Sequence, residues 1–199
     1  MPAHEANDLR QLAFRYRSYT PIPFILVMLL FARPTVGSMV GGLAVVLLGE
    51  ALRLWGVSIA GSETRTTGPV GGTYLITTGP FAHTRNPLYV GNMLQYVGMG
   101  IMANALLPWL PAVALLFFGA QYLLIVSREE EVLAGRFGEA YERYRRHVPR
   151  FLPRLTPYRD PDPAPKTLDL AQGLSSERRT LQAIGLVTGM VLAVFLLRG

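Results

Sequence analysis

Long runs without charge alternate with short polar segments along this chain. Residues 86–127 contain no Asp, Glu, Lys or Arg. A helix of that length would extend about 63 Å, roughly twice the thickness of a bilayer's hydrocarbon core. We therefore expect two helices here, with a turn between Asn104 and Pro111, where Pro108 and Pro111 disfavour a continuous helix.

Three further apolar stretches flank this pair: residues 18–32, residues 36–60 and the uncharged residues 180–197. The stretch 36–60 contains Glu50 and Arg53, which lie three positions apart on one helix face and which we expect to neutralise each other. The pattern predicts an all-α fold class, a polytopic integral-membrane helical bundle with about five transmembrane helices.

The composition agrees with a membrane protein. Hydrophobic residues make up 50% of the chain and charged residues only 16%, and the mean hydropathy is +0.29. Soluble domains are usually nearer a quarter charged, so a disordered chain or an ordinary water-soluble enzyme is excluded. The chain has no cysteine, which excludes disulfides, thiolate metal sites and a cysteine nucleophile. We predict no metal site.

The basic residues predict the orientation. Three arginines precede the first predicted span, two lie between the second and third, and eleven basic residues fall within 128–179, whereas only Arg33 and Arg198 would face the other side. The positive-inside rule then places the N-terminus and both long polar segments in the cytoplasm, in an inner or plasma membrane. Because topology explains the basic excess, we expect no nucleic-acid partner.

The first polar segment, residues 61–87, is rich in glycine, threonine and proline. Such a segment could wrap a small polar ligand or could be a flexible loop. It ends with Arg85 and Asn86 before Pro87, which suits the first turn of a helix. The free N–H groups of that turn favour an anionic ligand group, although a membrane anchor with a helix cap would give the same pattern.

The second polar segment, residues 127–179, opens with Arg128 and three consecutive glutamates, 129–131. Adjacent carboxylates repel one another and normally face water. Helix C-termini prefer cations, however, so we expect at least one of these acids to have a cationic partner or ligand. Downstream, Phe137, Tyr141 and Tyr144 define one face of a short helix that could lie on the membrane.

Two spaced motifs in this order resemble the isoprenylcysteine carboxyl methyltransferase family and the related phospholipid N-methyltransferases. The resemblance covers residues 73–153. In that family a G-x-[YF] stretch leads to R-[HN]-P-x-Y-x-G, and the matching residues here are Gly79, Phe81 and the run Arg85 to Gly91. After two helices the family shows E-E-x-x-L-x-x-x-F-G-x-x-Y-x-x-Y-x-x-x-V-P, matched by Glu129, Glu130, Leu133, Phe137, Gly138, Tyr141, Tyr144, Val148 and Pro149.

The resemblance implies an integral-membrane methyltransferase that uses S-adenosyl-L-methionine, held in a cytoplasmic cofactor-binding segment. The implied cofactor contacts are Thr73, Tyr74, Leu75, Ile76, Phe81, Asn86, Pro87, Leu88, Tyr89 and Glu129. The implied catalytic residues are Arg85, Asn86 and Glu130. Apolar groups suit adenine, the helix N-terminus suits the carboxylate of the cofactor, and Glu129 suits its ammonium. Positioning of an acceptor in line with the methyl group supplies much of the rate.

The implied acceptor is a lipophilic small molecule that enters from the bilayer, with membrane lipids as partners. An amine-bearing lipid, a carboxylated prenyl compound and a small thiol stay open. Asn86 replaces a histidine that is common in the family, and Ile125 stands where eukaryotic carboxyl methyltransferases carry an arginine. His83 and Arg128 are additional candidates near the same membrane face.

The motifs divide the chain into four parts. Residues 1–60 carry helices one and two, 61–155 the methyltransferase core, 156–179 a proline-rich linker and 180–199 a C-terminal transmembrane helix. Two alternatives are a membrane reductase of the sterol-reductase type and a non-enzymatic scaffold whose arginines 143–159 bind anionic lipids. The sequence leaves the oligomeric state and the role of the last helix open.

Overall fold

The computed structural model describes residues 9–61 and 73–198, and within these residues the chain is all-helical, as predicted. The glycine-rich residues 62–72 of the first polar segment lie outside the described residues. The α-helices are α1 (Leu9–Tyr16), α2 (Pro21–Leu30), α3 (Val36–Ala60), α4 (Pro87–Ala103), α5 (Trp109–His147) and α6 (Leu170–Arg198), and a 3₁₀ helix spans Gly79–Ala82.

The predicted number of five membrane spans is wrong for the described residues. Three helices, α3, α5 and α6, are long and apolar enough to cross a membrane. Helix α2 has only 10 residues and extends about 15 Å, half of a hydrocarbon core. Helix α4 has 17 residues and includes Asn92 and Gln95, which lower its hydropathy.

Several helix ends are close to those expected from the sequence, and others differ. Helix α4 ends at Ala103 and α5 begins at Trp109, so the predicted turn is present. Helix α5 continues past the apolar run to His147, with a break at Gly138, where φ is 50° and ψ is −124°. Helix α6 begins at Leu170, so the last ten residues of the expected linker are helical.

The described chain divides into two compact units, each built from parts of several helices. Unit 1 contains residues 9–49, 93–127 and 181–198. Its buried core is apolar and consists of Met28, Ala32, Val46, Met99, Met102, Ala103, Ala105, Ile184, Val187 and Val191. Burial of these side chains, on helices whose outer faces are also apolar, is the pattern of a protein that packs within lipid.

Close helix packing in unit 1 depends on small residues. A Cβ at Gly42 of α3 would lie 2.2 Å from the backbone nitrogen of Met102 in α4, and one at Gly98 would lie 2.7 Å from the nitrogen of Val46. Ser38 and Gly42, small residues four positions apart on α3, therefore lie at a helix contact with α4. At Gly41, by contrast, an added Cβ would meet no heavy atom within 4 Å.

Unit 2 contains residues 50–61, 73–92 and 128–180 of the described chain. Its buried centre is aromatic: Tyr141, Tyr144 and Val148 pack with Leu75, Leu133, Ala134, Phe137 and Tyr158. The aromatic face predicted at positions 137, 141 and 144 thus packs against protein. Both motifs of the predicted site, residues 79–91 and 129–149, lie in this unit. Residues 93–127, which connect them, belong to unit 1.

Candidate functional site

The turn before α4 is fixed against the end of α3. Gly79 begins the 3₁₀ helix with φ +59°, and a Cβ there would lie 2.1 Å from Cδ1 of Ile59. A side chain would thus be both strained and blocked at this position. About one turn before Ile59, Gly56 brings α3 against Leu88 of α4, whose Cδ2 would lie 2.9 Å from an added Cβ. Glycines therefore bring the start of α4 close to α3.

Backbone hydrogen bonds join this turn to the chain that follows α5. The Arg85 N–H donates to Pro149 O at 2.9 Å, and the Tyr158 N–H donates to Ala82 O at 2.9 Å. The buried Thr84 hydroxyl lies 3.1 Å from the carbonyl oxygen of Arg150. These bonds bring together residues 82–85 and 149–158, which are more than 60 positions apart in sequence.

A carboxylate between two guanidinium groups forms the charged centre of the unit. Arg85 donates from Nε and Nη2 to Glu130 Oε1 at 3.0 Å and 2.7 Å. Arg150 donates from Nε to the same oxygen at 3.2 Å, and from Nη2 to Oε2. The side chains of Arg85 and Glu130 are only 10% and 7% exposed, so this is a largely buried ion pair. The acid predicted to have a cationic partner is Glu130.

Arg85 makes two further hydrogen bonds to backbone carbonyl groups. Arg85 Nη1 donates to the carbonyl oxygens of Arg145 at 3.0 Å and Val148 at 2.7 Å. The hydrogen bond with Glu130 raises the pKa of Arg150, so Arg150 stays charged at any physiological pH. The cluster has a fixed geometry and a net charge of about +1.

The neighbouring acid, Glu129, has a different partner at the start of α4. The Tyr89 hydroxyl donates to Glu129 Oε1 at 2.8 Å. Successive helical residues point about 100° apart, so two adjacent acids reach different partners. Asn86, just before the helix, donates from Nδ2 to Arg150 O at 3.0 Å. Three predicted site residues of the first motif therefore contact the second motif or the chain after it.

Two buried tyrosines of α5 lie beside the 3₁₀ turn that precedes α4. The Tyr144 hydroxyl donates to the Phe81 carbonyl oxygen at 2.7 Å, which fixes one predicted cofactor contact. Tyr141 is 1% exposed, and its hydroxyl has no hydrogen-bond partner. Leu75 packs against this pair. A buried hydroxyl without a partner is costly and is a feature of sites that bind a polar group.

The other predicted cofactor contacts are more dispersed. Pro87 is buried, Leu88 and Ile76 are half-buried, and Thr73 and Tyr74 are exposed. The Tyr74 ring lies 5.4 Å from Lys166 Nζ. The hydrogen bonds described above that join the two motifs involve Phe81, Arg85, Asn86 and Tyr89.

A second buried charge cluster corrects the expectation for Glu50 and Arg53. The Glu50–Arg53 pair is present but long, with Oε2 at 3.8 Å from Nε. The closer acid is Glu177 of α6, which accepts from Arg53 Nη2 at 2.8 Å and 2.7 Å and is 0% exposed. Arg53 Nη1 also donates to Asn92 Oδ1 at 2.5 Å. The last helix, which had no assigned role, provides the principal partner of Arg53.

Among the additional candidates, His83 contacts the chain after α5 and an aromatic side chain of α3. Its Nδ1 lies 2.8 Å from Arg154 O, and its ring centroid is 6.2 Å from that of Trp55. Arg128 is partly exposed. Sequence reasoning did not single out Arg150 or Glu177 for the charge clusters. Arg150 could have been found as the residue that follows the Val148–Pro149 end of the motif, but nothing in the sequence pointed from Glu177 to Arg53.

The residues of unit 2 suit S-adenosylmethionine in chemical type. The N-terminal turn of α4 offers N–H groups to a carboxylate, Glu129 offers a carboxylate to an ammonium, and the buried Tyr141 hydroxyl offers an unused hydrogen bond. Apolar side chains of Leu75, Phe81 and Leu88 provide surfaces for an aromatic base. The donor set fits the group that the motifs imply.

Comparison with known families gives one match that covers about half of the chain. The model of the phospholipid methyltransferase family matches residues 38–140. This region contains α4, most of α5 and the residues that form the Arg85–Glu130 and Tyr89–Glu129 contacts. Arg150 lies beyond it.

Two curated proteins are similar to this chain. The cobalt-zinc-cadmium resistance protein CzcN of Cupriavidus metallidurans is 36% identical over 146 residues, which cover 69% of this chain and 62% of that protein. The nickel-cobalt-cadmium resistance protein NccN of Alcaligenes xylosoxydans xylosoxydans is 38% identical over 87 residues, which cover 44% and 39%. The chain thus spans less than two thirds of these relatives. No solved structure gives a significant match.

Proposed function

Because the chain belongs to the phospholipid methyltransferase family, we propose that it transfers a methyl group from S-adenosylmethionine to a lipophilic acceptor in the membrane. The observation that carries the proposal is the pair of contacts Arg85–Glu130 and Tyr89–Glu129. They join the turn before α4 to the acidic stretch of α5, the two segments that carry the matched motifs.

The cofactor, when bound, supplies an electrophilic methyl group on a sulfonium. In this proposal Glu129 pairs with its ammonium, and the N–H groups of Leu88 and Tyr89 at the start of α4 face its carboxylate. Phe81, Leu75 and Leu88 contact its base. The Tyr89 hydroxyl holds the Glu129 carboxylate in one orientation, so the acid needs little reorganisation on binding.

Arg85, Asn86 and Glu130 hold the geometry of the catalytic centre. The Glu130 carboxylate is bonded to Arg85 and Arg150, and Asn86 donates to the backbone of residue 150. A methyl displacement depends on alignment of donor and acceptor, so a rigid charged centre contributes mainly by positioning. The net positive charge of the cluster favours an acceptor that presents an anionic group nearby.

We propose that the site faces the cytoplasm, because most basic residues of the chain lie in the segments that contain it. The acceptor reaches it sideways from the bilayer. The two relatives are named as metal resistance proteins. For this chain we propose the methylation of a membrane component.

Calorimetry with S-adenosylhomocysteine tests cofactor binding. The purified protein in detergent should bind this product, and Glu129→Gln should weaken binding at least about tenfold, because an ammonium loses its charged partner. Glu139→Gln is the matched control, since Glu139 is an exposed acid on the same helix, and it should bind as the wild type does. Folded wild-type protein that binds NADPH instead would support the reductase alternative, and binding of neither would support the scaffold.

Labelled methyl groups test the acceptor. Cells that contain the protein should incorporate label from methionine into a lipid-extractable product that cells with Glu129→Gln lack. The chemistry of that product distinguishes an amine-bearing lipid, a carboxylated prenyl compound and a thiol. Equal incorporation with the two proteins would contradict a methyl transfer that depends on Glu129, and label found only in the aqueous phase would contradict a lipophilic acceptor.

A further inference from the structure

Two leucines of unit 2 are almost completely exposed in a short loop after α5. Leu152 is 82% exposed and Leu155 is 97% exposed. They lie in residues 151–157, which we call the leucine loop. Apolar side chains this exposed, close together and outside a helix, are typical of a surface that contacts lipid or a partner.

The leucine loop is held in place by hydrogen bonds at both ends. The Arg154 N–H donates to His83 O at 2.9 Å, and the Tyr158 N–H donates to Ala82 O at 2.9 Å. The Thr84 hydroxyl lies 3.1 Å from Phe151 O. The leucines are therefore presented to the outside by a fixed backbone.

Contacts of His83 place the loop beside the end of a candidate membrane span. His83 Nδ1 lies 2.8 Å from Arg154 O within the loop. The His83 ring also lies near Trp55 of α3, with 6.2 Å between ring centroids, and Trp55 is 42% exposed. Helix α3 is long and apolar enough to cross a membrane and ends five residues later, at Ala60. Tryptophan at a span end favours the level of the lipid headgroups.

The chain around the loop is basic. Residues 143–159 contain six arginines and no acid. Arg145 pairs with Glu142, and Arg150 pairs with Glu130. Arg143, Arg146 and Arg159 are exposed, and they leave the segment with a positive charge. Basic residues near a membrane surface attract anionic lipid headgroups.

We propose that the leucine loop and its flanking arginines form an interfacial lipid-binding surface, in which Leu152 and Leu155 insert into the headgroup region and Arg143, Arg146 and Arg159 bind anionic lipids. Leucine leaves water on insertion, and each arginine gains an anionic neighbour. The proposal concerns the membrane surface and does not rest on methyl transfer.

A fluorescent label at the loop tests the insertion directly. Because the chain has no cysteine, Leu155→Cys offers a unique attachment site for an environment-sensitive fluorophore. Asp162→Cys is the matched control at an exposed polar position a few residues later. In nanodiscs of phosphatidylcholine and phosphatidylglycerol, lipids brominated near the headgroup should quench the label at 155 at least about twofold more than at 162. Iodide in the water should show the opposite order.

The lipid preference tests the arginines. Brominated phosphatidylglycerol should quench the label at 155 more than brominated phosphatidylcholine does. Arg143→Gln/Arg146→Gln should reduce this preference about tenfold, and high salt should reduce it as well. Arg178→Gln/Arg179→Gln removes the same charge from exposed positions outside the segment and should leave the preference unchanged.

Several outcomes would overturn the proposal. Equal bromine quenching at 155 and 162, with iodide access to both, would mean that the loop faces water. Disulfide cross-linking between two copies through Cys at 155 in nanodiscs would mean that a second copy covers the leucines. Leu152→Cys provides an independent label site, so that a folding defect of one variant does not decide the result.

Discussion

At the residue scale, the two adjacent acids Glu129 and Glu130 have separate roles because they point in different directions. Glu130 is enclosed by Arg85 and Arg150, whereas Glu129 receives the Tyr89 hydroxyl. The first is already neutralised by protein cations. We expect the cofactor ammonium to bind through Glu129, next to the Tyr89 hydroxyl.

Glu130→Gln should lower the stability of the protein markedly. The substitution leaves two arginines in a largely buried cluster without their carboxylate, which costs about 3 kcal/mol. The measurement is unfolding in detergent, with Glu139→Gln as the exposed control, expected within about 0.5 kcal/mol of the wild type. Equal stability of the two variants would mean that the cluster contributes nothing to the fold.

The contribution of Arg150 to the stability of the folded protein should not depend on pH between about pH 7 and pH 10. Its hydrogen bond to Glu130 raises its pKa in the folded protein. A group with a raised folded pKa stabilises fully below its unfolded pKa, which for arginine lies far above the physiological range, and loses that contribution only as pH rises through the folded value.

We therefore expect the difference in unfolding midpoint between the wild type and Arg150→Gln to be constant between about pH 7 and pH 10. The exposed Arg178→Gln serves as the control for general charge effects. A difference that declines steadily over this range would contradict a guanidinium that stays charged.

At the element scale, α6 is tied to α3 by charge and by close packing. Arg53 bonds Glu177 with two hydrogen bonds, and the Asp169 N–H donates to Ser58 O at 2.8 Å. A Cβ at Gly173 would lie 2.0 Å from the Ser58 hydroxyl oxygen. The first turns of α6 are thus an integral part of unit 2, although they follow the motifs in sequence.

Glu177→Gln should destabilise unit 2, because the nearly buried Arg53 would lose its closest carboxylate, at a cost of about 3 kcal/mol. Arg178→Gln, an exposed charge change one residue away, is the control and should have little effect. Unfolding midpoints in detergent provide the comparison. If both variants have the same unfolding midpoint as the wild type, the contacts of Arg53 with Glu50 and Asn92 are sufficient to stabilise its charge.

Two glycines of α3 offer a matched test of helix contact. Gly42→Ala places a methyl 2.2 Å from the Met102 backbone nitrogen, so the helices have to separate, which costs about 1–3 kcal/mol. Gly41→Ala meets no atom within 4 Å and should be neutral or slightly stabilising, since alanine favours a helix. The order of their thermal midpoints checks this, and a reversed order would refute the contact.

At the scale of the whole molecule, the ion pair restricts the membrane topology. Arg85 Nη2 and Glu130 Oε1 are 2.7 Å apart, so both residues lie on one side of the membrane. Because α5 is a candidate span, the 17-residue α4 has to carry the chain into the membrane so that α5 can bring it back. The positive-inside pattern predicts that this side is the cytoplasm and that Arg33 lies on the other.

Single cysteines test this topology in a chain that has none of its own. Tyr74→Cys and Glu139→Cys are exposed positions near the two ends of this interval, and both should react with an impermeant maleimide added from the cytoplasmic side. Arg33→Cys should react only from the opposite side. Reaction of positions 74 and 139 from opposite sides would be incompatible with the ion pair.

The sequence allowed us to predict much of the order of the helices, but not the number of membrane spans. The charge-free run and its prolines located α4, the turn and the start of α5, because helix length and proline geometry are local properties. The number of spans was overestimated, because α2 ends after 10 residues and apolar composition alone does not set helix length.

By itself the sequence predicted an all-helical membrane chain and located the two segments that carry the family motifs, because hydropathy and motif spacing are read along the chain. Only the tertiary structure decided which acid meets which arginine. Glu130 bonds partners 45 and 20 positions away, and Glu177 bonds one 124 positions away. Such pairings depend on how helices pack in space, which no local pattern of residues encodes.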